Sequence, residues 1–163
     1  MEIKLDNSDN IISKTDLQGN ISYVNARFTE ISEYSETELL GKPHNILRHE
    51  LMPKAVFELL WKRIKEGQEL FAYVVNKTAN NNFYWVLAHI SPVVDETKNI
   101  IAFQSIRRRA NPLALDTIKP LYKEMLELEK KGNTESSIAF LDSILAEENV
   151  SYDQFVSDLQ TKR

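Results

Sequence analysis

Cysteine is absent from the 163 residues, which removes disulfides, thiolate metal sites, iron–sulfur ligation and cysteinyl cofactor adducts from consideration. Glycine is scarce, at four residues, and no Gly-rich loop is present to cradle a phosphate with backbone N–H groups. No uninterrupted apolar run is long enough for a membrane span, and the opening MEIKLDNSDN lacks the basic-then-apolar order of a signal peptide. Basic clusters are nearly missing too. Arg107-Arg108-Arg109 is the one run in a chain of net charge −4, a balance that argues against nucleic acid as a partner. No Ser/His/acid order and no His/carboxylate metal spacing nominates a catalytic set, so enzyme activity is not expected. The cytoplasm is the simplest compartment, and the length suits one main domain with a modest appendage.

What is present concentrates between Gly41 and Gly67, GKPHNILRHELMPKAVFELLWKRIKEG. Pro53 suits the first position of a helix and Gly67 the position just past its end. Val56, Leu59, Leu60 and Ile64 repeat at helical spacing beside Phe57 and Trp61, while Lys54, Glu58, Lys62, Arg63, Lys65 and Glu66 form a polar face. Just before it, His44 to His49 sets a guanidinium, Arg48, and two imidazoles beside a helix N-terminus, whose free N–H groups and dipole favour anions. Two readings stay open for this segment: it holds an anionic or acceptor-rich ligand, or Arg48 and His49 only satisfy carbonyls and carboxylates where the helix begins.

Residues 1–10 read as a polar lead, frayed or forming a short helical cap. Ile11 to Thr15 and Ile21 to Val24 are short β-runs around Asp16-Leu17-Gln18-Gly19-Asn20, where Gly19 and Asn20 suit the positive φ of a hairpin turn. Asn25 is placed to cap a short helix carrying Phe28 and Ile31, and Ser35 with Glu38 forms a capping box for a second. After Gly67, Leu70 to Asn76, Phe83 to Val94 and Ile100 to Arg108 read as strands. The order β-β-α-α-α-β-β-β predicts an α+β domain over residues 11–110, a five-stranded antiparallel sheet with helices packed over one face. Residues 111–163 read as a helical extension, with Pro120 expected to kink or divide its first helix near Ile118 to Pro120. Ile138, Leu141, Ile144 and Leu145 form an apolar stripe that suits either packing or docking.

Several of these residues carry a family resemblance. Thr15-Asp16-Leu17, Asn25, Gly41-Lys42-Pro43-His44-Asn45, Arg48-His49, Met52-Pro53-Lys54-Ala55, Phe57, Trp61, Asn76, Tyr84-Trp85-Val86, Pro92, Ser105-Ile106-Arg107 and Pro120-Leu121-Tyr122-Lys123 resemble the PAS domains of the bacterial aerotaxis-receptor and bipartite energy-taxis type. The resemblance spans roughly Ile11 to Lys123. It implies a PAS fold that binds FAD non-covalently, with Arg48 and His49 near the cofactor, Asn25 and Asn76 as polar contacts, and Phe57 and Trp61 in the pocket wall. That set suits a flavin, which needs an apolar slot, directed polar groups at the ring edge and donors for its pyrophosphate. Two positions depart from the family. Glu50 and Leu51 stand where it usually has Pro and Asp, and Leu70-Phe71 where it has an early Trp, which implies weaker FAD affinity or a substitute role for Phe71.

Gln104 lies where flavin-binding PAS domains of the light-sensing class place a Gln facing the ring edge. Strand alternation offers the opposite expectation, because Phe103 and Ser105 would then share the other face. Two further readings compete with FAD: a haem PAS using His44, His49 or His89 as axial ligand, and a ligand-free PAS module that acts by dimerising or docking. The resemblance also implies a soluble redox sensor that signals to a separate methyl-accepting-type chemotaxis transducer, membrane-associated only through that partner. The contact would run through the C-terminal helices, onto the transducer or a second copy of this chain.

Overall fold

The computed structural model describes residues 1–163. Strands β1 (Ile11–Thr15) and β2 (Ile21–Val24) form the opening hairpin. Its turn is held by the Asp16 carboxylate, which accepts the N–H groups of Gln18 and Asn20 at 2.9 Å each. Gly19 alone takes the positive φ, +87°, while the Asn20 side chain donates to Asp16. Helix α1 (Ala26–Ser32) is capped by Asn25 as expected, and α2 (Glu36–Leu39) by the Ser35/Glu38 box. A 3-10 turn, His44–Leu47, precedes α3 (Lys54–Lys65), which buries Ala55, Val56, Leu60 and Ile64. Pro53 stands one position earlier than expected, as the extended residue before the helix rather than its first residue.

Strands β3 (Leu70–Lys77), β4 (Phe83–Val94) and β5 (Ile100–Arg109) complete one antiparallel sheet in the order β2-β1-β5-β4-β3. The pairs Ser13 with Ser105 and Thr15 with Phe103 align the inner faces of β1 and β5, and Ala88 with Arg107 does the same for β4. Helix α3 lies over that inner face. The outer face of β3 and β4 is covered by the C-terminal helices α4 (Pro112–Lys131), α5 (Thr134–Glu148) and α6 (Tyr152–Gln160). The Tyr122 hydroxyl donates to the Tyr73 carbonyl at 2.6 Å, the Trp85 and Tyr122 rings lie 6.0 Å apart, and the Tyr73 hydroxyl reaches the Val156 carbonyl at 3.2 Å. Asn111 ties the start of α4 to the end of α6 through the carbonyls of Gln160 and Lys162.

Two local features differ from the sequence expectations, and a third decides between two readings left open there. Residues 1–3 lie beside the start of β4, with the Ile3 N–H on the Phe83 carbonyl at 2.7 Å; Leu5 is buried, and a turn at Asn7-Ser8 leads toward β1. Helix α4 is undivided across Pro120. Pro120 and Asp116, the residue whose carbonyl loses a donor, both face solvent, where water replaces the missing bond. Of the α5 stripe only Leu141 is buried, while Ile138, Ile144 and Leu145 are half-buried against the core, so most of the stripe is spent on packing within the chain. No helix is long and apolar enough to cross a membrane.

Candidate ligand-binding cavity

Between α3 and the inner face of the sheet lies a cavity of about 680 Å³, within the range that holds small ligands and cofactors. Its long walls are apolar: Phe57, Leu60, Trp61 and Ile64 from α3 face Val74, Ala88, Ile90 and Phe103 from the sheet. Trp61 meets Phe103 edge-on, with ring centroids 5.8 Å apart. Gly19 makes room for Trp61, because a Cβ there would sit 3.1 Å from Trp61 Cη2. The hairpin turn also places the 3-10 turn, since the His44 N–H donates to the Gly19 carbonyl at 2.9 Å.

The charged groups on the cavity are Arg48, Lys54, Lys65 and Arg107 against the single acid Glu58. A chain of net negative charge therefore presents a positive cavity. Arg48 is exposed at the mouth, its guanidinium 4.5 Å over the Phe57 ring, and its backbone bridges to Asn76 at the end of β3. Asn76 is buried and lines the cavity, and its Nδ2 has no hydrogen-bond partner in the protein.

At the inner end Arg107 donates to Ser13 Oγ at 3.1 Å and to His44 Nε2 at 2.6 Å, over the Phe28 ring. Burial lowers the Arg107 pKa to about 10, which leaves it a cation at neutral pH. Burial, with the Arg107 charge second, lowers His44 to about 3. His44 is therefore neutral and accepts at Nε2, because a guanidinium can only donate.

Among the residues singled out from sequence, Arg48, Asn76, Phe57 and Trp61 come together on the cavity. Gln104 also lines the cavity, but through the backbone of β5: its register partners are exposed Lys14 and half-buried Ser91, whereas Phe103 and Ser105 are buried inward. Its side chain is on the outer face. His49 is turned away, packed 5.5 Å from the Phe83 ring, with its Nδ1 accepting the Leu51 N–H. Asn25 is also outside the cavity. Its Oδ1 accepts the N–H groups of Ile12 and Phe28, joining α1 to β1, so its role is architectural. The haem alternative loses its ligands on the same geometry: His44 Nε2 is engaged by Arg107, and His89 lies on the outer face, stacked on Phe71 at 4.3 Å and bonded to Glu69.

The inner cluster of Ser13, Ser105 and Arg107 was not nominated from sequence. Arg107 read as part of a basic run, yet its alternation with Phe103 and Ser105 was a usable signal that it points inward.

A single antiparallel sheet whose inner face and one long helix enclose a cavity is the arrangement of a sensory PAS domain. Residues 4–109 match the PAS fold, and the chain belongs to that family. Within it the chain is similar to the aerotaxis receptor of Escherichia coli (strain K12), with 41% identity over 115 residues, 71% of this chain and 22% of the receptor. The nitrogen fixation regulatory protein of Klebsiella pneumoniae is 27% identical over 96 residues, 57% of this chain and 19% of that protein. The chain thus spans about a fifth of the length of these relatives. In fold it resembles a light-oxygen-voltage domain solved with a flavin analogue, with a TM-score of 0.61 at 17% identity over 72% of this chain and 87% of that one.

Proposed function

We propose that this PAS domain is a redox sensor that binds a flavin, FAD, non-covalently in the cavity and passes its redox state to a separate chemotaxis transducer. The observation that carries the reading is the match between lining and ligand: apolar aromatic walls, an orphaned amide donor at Asn76, and four cations against one acid. A flavin supplies reversible electron uptake, and the protein supplies the slot, the polar edge contacts and the charge. Phe57 and Trp61 wall the ring, Asn76 donates to its carbonyl-bearing edge, and Arg48 with Lys54, at the start of α3, holds the diphosphate. The likeness to the aerotaxis receptor supports the same ligand and a chemotaxis partner. The role is binding and signalling rather than catalysis.

Absorbance of the purified protein tests this directly. Flavin bands, with FAD identified by chromatography after release by denaturation, are the expected result. A Soret band, or no visible chromophore after incubation with FAD, would overturn the reading in favour of a haem sensor or a ligand-free docking module.

A further inference from the structure

The inner end of the cavity carries a charge that the protein itself leaves unneutralised. Arg107 is 4% exposed, forms no ion pair, and has as side-chain partners only the Ser13 hydroxyl and a neutral imidazole. Phe28 lies 5.4 Å from the guanidinium carbon and offers a π-face, not a counter-charge. Buried cations are ordinarily paired, because desolvation without a compensating anion is strongly unfavourable. More unused capacity lies in the same region: Asn76 Nδ2 and Ser105 Oγ are buried, line the cavity and have no hydrogen-bond partner. The Tyr84 hydroxyl, on β4 opposite Asn76, is buried too and feels both the Arg107 charge and the Asn76 amide, which brings the three groups into one region, although neither Tyr84 nor Asn76 Nδ2 reaches a full hydrogen bond. This end of the cavity is rich in donors and poor in acceptors.

We infer that Arg107, with Asn76 and Ser105, forms a seat for a negatively polarised, acceptor-bearing ligand edge, and that it binds a flavin more tightly in the reduced, anionic state than in the oxidised one. This deepens the flavin reading above and rests on it. Two electrons from a reductant, dithionite in the test below, and one proton from solvent would turn a neutral oxidised ring into an anion, with charge spread toward its carbonyl edge. A second proton would cancel that charge. A fixed cation beside the edge favours the one-proton product, by the rule that an opposite charge nearby stabilises the ionised form. His44 does not supply the second proton, because its Nε2 is the acceptor for Arg107. Arg107 therefore raises the potential at which the sensor is reduced.

The test uses the full chain loaded with FAD and titrated with dithionite in the presence of a redox indicator, from pH 6 to 8. Arg107→Gln is expected to retain oxidised FAD but to lower the ratio of reduced to oxidised affinity at least tenfold, about 30 mV for a two-electron couple. Its potential should also depend more steeply on pH, as uptake moves from one proton toward two. Arg107→Lys keeps the charge and should keep most of the parent behaviour. Asn76→Asp, which sets a carboxylate at the same end of the cavity without removing a large buried side chain, should shift the potential in the same direction as Arg107→Gln. In the ligand-free protein Arg107→Met should not lower Tm, since the native charge is unpaired there. A structural arginine would give the opposite result. FAD-bound Arg107→Gln and Asn76→Asp with unmoved potential and pH dependence would overturn this inference alone. A parent chain that binds no FAD overturns the flavin reading and this inference with it.

Discussion

Glu129 in α4 accepts the backbone N–H of Lys54 at 2.8 Å and that of Ala55 at 3.2 Å, so a C-terminal helix caps the helix that walls the cavity. Pro53, the residue in the capping position, supplies no side-chain hydrogen bond of its own. The carboxylate takes that role across the fold, where both hydrogen bonding and the helix dipole favour it. Glu129→Ala should cost about 1 kcal/mol of stability, read by chemical denaturation, and should speed amide exchange at Lys54 and Ala55. Unchanged exchange at those two amides would mean that the cap contributes nothing in solution.

Arg48→Ala removes the exposed cation at the cavity mouth. A charge-assisted contact contributes about 1.5–3 kcal/mol, so FAD affinity should fall about tenfold or more, with a weaker dependence on salt than in the parent. Fluorescence titration at two ionic strengths measures both effects. Equal retention of flavin by variant and parent through dilution and gel filtration would remove Arg48 from the site.

Acid sensitivity should be traceable to His44. Its folded pKa of about 3 lies below the ordinary value of 6.5, so between these pH values the unfolded chain binds a proton that the folded chain does not. Stability therefore falls as pH drops from 6.5 toward 3, by at most about 1.4 kcal/mol per pH unit. His49 is lowered as well, chiefly by burial, and acts in the same direction. His44→Gln should flatten the stability profile between pH 7 and 5 in urea titrations. A variant that loses as much stability as the parent over that interval would place the sensitivity elsewhere.

Gly19 is where the hairpin turn meets the cavity wall. With φ at +87° and Trp61 Cη2 3.1 Å from any added Cβ, Gly19→Ala meets both backbone strain and a rigid aromatic ring. The left-handed conformation alone costs about 1–2 kcal/mol. The variant should lose at least that much stability and show altered tryptophan fluorescence as Trp61 shifts. Wild-type fluorescence and stability together would show that the turn relaxes freely.

Arg48 stood out from its place beside a helix N-terminus, whereas Phe57 and Trp61 entered as site residues through the family resemblance, on a helix whose amphipathic face local spacing had marked. Asn25 and His49 came through the same family resemblance and yet lie outside the cavity. One Asn at a helix start can serve a ligand or a cap equally well, and here Ile12 and Phe28 supply the donors that claim it. Gln104 illustrates how simple alternation outweighed analogy: its neighbours Phe103 and Ser105 face the cavity, and a side chain between them faces the other way.

The chain by itself determined the strands, the short capped helices and α3, because these depend on periodicity, turn residues and caps within a few positions of one another, and its motif residues carried the PAS resemblance. Only the tertiary structure decided that β5 lies between β1 and β4, and with it that Arg107 is buried beside Ser13, 94 residues away. That pairing adds to the burial that keeps His44 neutral and places the surplus of donors at the inner end of the cavity. Charge states and burial are properties of what surrounds a group, and here the surroundings come from distant parts of the chain.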